Sequence, residues 1–303
     1  MKIDRPRSFS TRVDVHWKIS SFSSLVSQRL HSEEVQDVDP LSAGKGEEPL
    51  VQPELEKPSG FFAFPRGAKA GTFLHDLFEH LDFQDPSLES RQALVTEKLE
   101  HYGYDLSWRD DISRMVERVL SHPLTPHRRD FCFSRVSNES RLNELEFYFP
   151  LKSLTPEAMK KILRKGSLDL DVPERIDRLD FAPLRGFMKG FMDLVFRFED
   201  RYYLVDWKSN FLGARVEDYG PESLGRAMDE NFYTLQYHLY TIALHQYLKL
   251  RVPEYTYESH FGGVFYVFLR GVDPEKGPDF GIYRDRVSAH LVDELTRELV
   301  SAA

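Results

Sequence analysis

The segment from Gly186 to Lys208, GFMKGFMDLVFRFEDRYYLVDWK, constrains this chain more than any other stretch. Two apolar, aromatic-rich runs meet at Glu199-Asp200, which reads as the turn of a long hairpin. With that turn, antiparallel partners have numbers that sum to 399, so Asp193 faces Asp206 across the two strands. Side chains so opposed have Cβ atoms ~4.5–5.5 Å apart on one face. The period of two puts Lys208 on the same face as Asp206. Leu194, Phe196, Tyr203, Val205 and Trp207 collect on the other face, where they can enter a core. Two opposed carboxylates destabilise a ladder unless a cation offsets them. Lys208 supplies one charge, and a divalent metal, which prefers carboxylate oxygens, would supply the rest. The alternative is an ordinary hairpin with a surface Asp-Lys-Asp cluster. The apolar character of both strands suits a central position, where an unpaired carboxylate would be costly.

Composition bounds what such a hairpin can belong to. The chain has 303 residues, 41% hydrophobic and 13% aromatic, enough for a sizeable core. Lys and Arg number 40 against 49 Asp and Glu, a net charge of -9. That sum argues at first against nucleic acid, whose phosphates want a basic surface. Yet residues 31–60 hold eight acidic residues and two lysines, a balance of -6, with four prolines and almost no aromatic content. They read as a mobile acidic linker, and the rest of the chain carries only -3. Cys132 is the single cysteine, so an internal disulfide and a Cys-based zinc site are excluded; a reducing, cytoplasmic setting is expected. Its neighbours Phe131 and Phe133 make it a buried small hydrophobe rather than a nucleophile. No apolar run approaches the ~18 residues of a membrane span, and no G-x-x-x-x-G-K-[ST] phosphate loop is present.

Three regions follow. Residues 1–30 contain a short strand over 13–18 and a short helix capped by Ser20 or Ser21. Residues 31–60 are the linker. Residues 61–303 are the folded body. Within it, Leu74, Leu77, Phe78 and Leu81 share one helical stripe over 71–82. Further helices are expected near 86–102, 110–121, 229–250 and 287–300. Strands are expected over 142–149, 262–269 and near 280–284. Helices first, then a hairpin, then helix–strand alternation give an α/β fold: a mixed β-sheet core flanked by helices, with a helical N-terminal part.

At residues 186–210 the sequence resembles the nuclease motif of the RecB family, within the PD-(D/E)xK, restriction-endonuclease-like superfamily. The resemblance continues in order along the chain. Gly71-Thr72-Phe73-Leu74-His75 is similar to the family's upstream histidine motif. Glu144-Leu145-Glu146-Phe147 is similar to its acidic strand. Gln236-Tyr237-His238-Leu239-Tyr240 is similar to its Gln-x-x-x-Tyr helix. The stretch from Phe261 to Val272 is similar to its next strand. A lone D-x-K would be weak; the ordered set is specific.

The resemblance implies a restriction-endonuclease-like fold and Mg2+-dependent DNA hydrolysis, with Mn2+ or Ca2+ able to take the metal site. It implies His75, Asp193, Asp206 and the backbone carbonyl of Trp207 as metal ligands. Lys208 would steady the attacking water and the phosphate charge. Glu146 would be an auxiliary acidic residue near the metal. Gln236 and Tyr240, at i and i+4 on one helix face, would position the substrate or the lysine. Met192 stands where the superfamily name has a proline. The resemblance also implies DNA as partner, the gamma and alpha subunits of an exodeoxyribonuclease V complex, a bacterial cytoplasm, no membrane, and a role in double-strand-break repair and recombination. The family protein carries a helicase part in the same polypeptide, whose motifs are not in this sequence.

Plainer readings compete at each position. His75 can pair with Glu79 one turn on, Glu144 and Glu146 can lie on a solvated strand edge, and Gln236 and Tyr240 can flank the apolar stripe Phe232, Leu235, Leu239 and Ile242. For the whole chain, the rivals are a non-catalytic DNA- or partner-binding module on the same fold and a two-carboxylate glycosidase. Intact Asp193, Asp206 and Lys208 disfavour the first. Lys208 beside the carboxylates disfavours the second.

Overall fold

The computed structural model describes residues 17–22, 58–157, 160 and 184–300. The acidic stretch lies outside the described residues up to Lys57. So does the part of the expected short helix beyond Phe22.

Among the described residues, six strands form one mixed sheet: β1 (Trp17–Ser21), β2 (Arg141–Leu154), β3 (Leu184–Phe198), β4 (Arg201–Lys208), β5 (Phe261–Phe268) and β6 (Ile282–Asp285). The order is β1-β3-β4-β5-β6, with β2 paired to β3. Helices α1 (Ala68–His80), α2 (Leu88–His101) and α3 (Arg109–Ser121) pack on one face. Helices α4 (Pro221–Glu230), α5 (Tyr233–Arg251) and α7 (Ala289–Leu299) pack on the other. A one-turn α6 (Tyr257–His260) leads into β5. This is the expected α/β class.

The hairpin has the expected register. Phe198 pairs with Arg201 and Leu194 with Val205, and Glu199 takes φ 55° at the turn. Leu194, Phe196, Val205 and Trp207 enter the core beneath α1–α3, with Tyr203 packed against it. The ladder ends one step before the expected Asp193–Asp206 pair. Beyond it β4 continues beside β5, with Asp206 in register with Tyr266. On that edge of β3, β1 pairs only with residues 185–189. Asp193 therefore stands in the gap where β1 has ended and β4 has turned away.

Ser20 and Ser21 close β1, paired with Met188 and Lys189, and Phe22 directly after them is helical. One expectation needs correction. The helix expected over 229–250 is α5, which starts only at Tyr233, and residues 229–230 belong to the separate α4. Phe232, at φ 56°, is left-handed and breaks the chain between α4 and α5. The Asn231 side chain closes α4 by donating to the Ala227 carbonyl.

Candidate metal and nuclease centre

The cleft is built where the sheet opens. Along β3, Met188 and Met192 pack on the α5 side, but Leu194 and Phe196 pack on the α1 side. Even-numbered residues of one strand thus change faces, and Asp193 is the step between them. The partner strand makes the same step. Glu144, opposite Asp193, is missing from the β2–β3 ladder and has φ 48°. A left-handed non-glycine residue costs roughly 1–2 kcal/mol, and such strain persists where the surroundings impose it. Before the step, Asn143 donates its side-chain N–H to the Glu79 carbonyl of α1. After it, Phe147, Phe149 and Leu151 join the core under α5. The step lets side chains from both helical layers reach one place.

His75, on α1, points its Nδ1 to 3.4 Å from Asp193 Oδ2. The apolar stripe Phe73, Leu74, Leu77 and Phe78 faces the core and leaves His75 half-buried at the cleft. Gly71, one turn earlier, lets α1 approach the loop after β4: a Cβ there would lie 3.4 Å from Ser209 Oγ. Asp193 Oδ2 also accepts the Trp207 N–H at 2.7 Å. The Trp207 ring is buried against Phe78, 4.5 Å between centroids, which fixes this backbone. Lys208 Nζ lies 2.7 Å from Asp206 Oδ2, and both side chains are buried. The ammonium also sits 3.8 Å above the Tyr233 ring and 5.4 Å from that of Tyr266.

The other expected residues divide. Gln236 and Tyr240 both line the cleft, which has a volume of about 360 Å³. Gln236 Oε1 accepts the Tyr266 hydroxyl at 3.0 Å. Tyr240 packs against Phe147. Glu146 is not brought there. It is exposed, paired with Lys189 Nζ at 2.8 Å, and accepts the Tyr148 hydroxyl at 3.1 Å. The step at Glu144 is the cause: Glu144 turns into the cleft and Glu146 faces solvent. His75, Glu144 and Asp193 can bring one ligand atom each within 4.8 Å of one another.

The charges are tightly balanced. Burial pushes the Glu144 carboxyl up to about 7, with the Asp193 charge adding to it. Burial likewise takes Asp206 up to about 7, against Lys208 and with Asp193. Asp193 is itself held low: burial opposes its charge, but His75, Lys208 and the Trp207 N–H outweigh it. Burial also opposes the charge on His75, yet Asp193 and Asp206 raise its pKa to about 9. Once Asp206 and Glu144 lose their protons, three carboxylates face one lysine and one histidine, an excess of negative charge that a bound cation would offset. Among the described residues, the buried Asp206 Oδ2 has the Lys208 ammonium at 2.7 Å and no well-aligned hydrogen bond. Oxygen donors with one imidazole suit a hard divalent cation.

A buried lysine beside paired carboxylates, on the diverging strands of a mixed sheet between helical layers, defines a class of phosphodiesterase fold. The chain matches the PD-(D/E)XK nuclease superfamily over residues 61–302 and belongs to it. Within that superfamily it is similar to the RecBCD enzyme subunit RecB of Escherichia coli (strain K12), 41% identical over 91% of this chain and 22% of that protein. The RecBCD enzyme subunit RecB of Haemophilus influenzae is 31% identical over 95% of this chain and 24% of its own length. That of Mycobacterium tuberculosis (strain H37Rv) is 30% identical over 88% and 26%. The chain thus spans about a quarter of the length of these relatives.

Proposed function

We propose that the chain is the nuclease portion of a RecBCD-type helicase-nuclease, a Mg2+-dependent exodeoxyribonuclease acting in double-strand-break repair and recombination. The observation that carries this reading is the convergence of His75, Glu144, Asp193, Asp206 and Lys208 on one cleft. His75, Glu144, Asp193, Asp206 and the Trp207 carbonyl would hold the metal. When bound, a divalent ion acidifies a water and clamps a phosphoryl oxygen. Asp193 holds His75 in place and is fixed in turn by the Trp207 N–H. Lys208 keeps a positive charge beside the scissile phosphate, held between Asp206 and the Tyr233 ring. Tyr266 orients Gln236 toward the substrate strand, and Tyr240 packs the helix against β2. Glu144, rather than Glu146, supplies the further carboxylate.

The wider setting is supported by the relatives, each a subunit of a RecBCD enzyme. DNA is the substrate, the helicase part and the alpha and gamma subunits of an exodeoxyribonuclease V complex are the partners, and the site of action is the bacterial cytoplasm. Among the described residues no helix is long and apolar enough to cross a membrane.

The test is cleavage of a single-stranded oligonucleotide with and without Mg2+. Wild type is expected to cut only with the metal. Lys208→Ala should lower kcat by about 10²–10³-fold, the range for removing one preorganised charge, and Asp206→Ala should do at least as much. Activity that survives both substitutions would refute the assignment.

A further inference from the structure

The cleft needs a path for the strand on either side of the reacting phosphate, and charge distinguishes the two directions. The lysines around the cleft are already matched: Lys98 to Asp76 at 2.8 Å, Lys189 to Glu146 at 2.8 Å and Lys208 to Asp206 at 2.7 Å. Arg66 and Lys69 are not. Both are exposed, and among the described residues each is seated on an aromatic ring instead of a carboxylate. The Arg66 guanidinium lies 3.2 Å from the Phe211 ring centroid. Lys69 Nζ lies 4.7 Å from that of Tyr104. Such contacts orient a cation without neutralising it.

Their placement ties them to the site. Lys69, Thr72 and His75 follow one another at i, i+3 and i+6 along α1, with Thr72 lining the cleft. Six residues rise about 9 Å along a helix, some two to three steps of a stacked strand at about 3.4 Å per nucleotide. Phe211 is three residues beyond Lys208. Tyr104 is two residues beyond Tyr102, which lines the cleft. The opposite end of α1 carries Glu79, which lines the cleft with Glu144 and repels phosphate, and Asp76, whose charge is taken up by Lys98.

We propose that Arg66 and Lys69 form a phosphate-binding subsite for the nucleic-acid strand flanking the scissile position. The strand then runs from the cleft along the N-terminal half of α1, between Phe211 and Tyr104, and avoids the acidic half. This rests on the nuclease reading above and adds to it a direction and two residues.

The experiment is binding of a fluorescent single-stranded oligonucleotide by anisotropy, with Ca2+ in place of Mg2+, across a range of NaCl. For single strands, log K falls with log salt by about 0.7 per phosphate contact. Arg66→Gln and Lys69→Gln should each weaken binding and each reduce that slope by about 0.7. The double variant should lose about twice as much. Arg128→Gln is the control. Arg128 is paired with Glu199 at the hairpin tip, about 20 Å along β3 from Asp193, and its slope should match wild type. A wild-type slope in the double variant, in a protein whose wild type cleaves with Mg2+, would overturn the subsite alone. Failure of wild type to bind or cut the oligonucleotide with any divalent metal would overturn the nuclease reading as well.

Discussion

At the scale of single residues, the sharpest result is a shift of two positions in β2. The resemblance pointed to Glu146, but period-two alternation puts Glu144 and Glu146 on one face and gave no ground for preferring either. The left-handed turn at Glu144 separates them. Its one trace in the sequence is Asn143, a polar residue where the odd positions Leu145, Phe147, Phe149 and Leu151 are apolar. Glu144→Gln should therefore weaken divalent-metal binding by about 10–100-fold, the range for tuned metal sites. Glu146→Gln should leave it unchanged by calorimetry; the reverse pattern would restore Glu146. The pKa directions add a pH dependence. Without metal, Asp206 and Glu144 keep protons to about 7 and His75 to about 9. A cation must displace those protons. Affinity for Ca2+ should thus rise between about pH 6 and about pH 9, and the observed binding enthalpy should vary linearly with buffer ionisation enthalpy, the slope giving the protons released. A flat profile would contradict this charge assignment. Turn and register pointed to Asp193, Asp206 and Lys208, and only the order of motifs pointed to His75; all four line the one cleft.

At the scale of elements, strong periodicity was readable and interruptions were not. The stripe of α1 and the 399 register of the hairpin stand as expected. The break at Phe232 was hidden, because neither glycine nor proline marks it. Pro221 at the first position of α4 was the available signal for a separate helix. The break matters, since it starts α5 at Tyr233, directly over Lys208. Close packing then sets α5 on the sheet. A Cβ on Gly190 would lie 2.5 Å from Phe147 Cζ and 3.3 Å from the Tyr240 hydroxyl. Phe147 is buried and cannot swing away. Gly190→Ala should cost about 1–3 kcal/mol in denaturant unfolding, the usual penalty of overpacking. It should also lower cleavage by displacing Tyr240. An unchanged midpoint would mean that the α5–β3 contact is looser than described.

At the scale of the whole molecule, the net charge of -9 no longer argues against nucleic acid. Two-thirds of it lies in residues 31–60, and the cleft adds carboxylates that a cation would offset. The architecture supplies the rest. One helical layer contributes His75, the other contributes Tyr233, Gln236 and Tyr240, and the sheet contributes the carboxylates and the lysine. They meet because the β3–β4 ladder stops at the Leu194–Val205 pair, and residues before Leu194 part from those after Val205. The most direct test of this account is anomalous diffraction from crystals soaked in Mn2+. The account predicts a peak in the gap between β3 and β4, contacted by His75, Glu144, Asp193 and Asp206. A peak confined to Asp76, Glu79 and His80 at the C-terminal end of α1, or none at saturating metal, would contradict it.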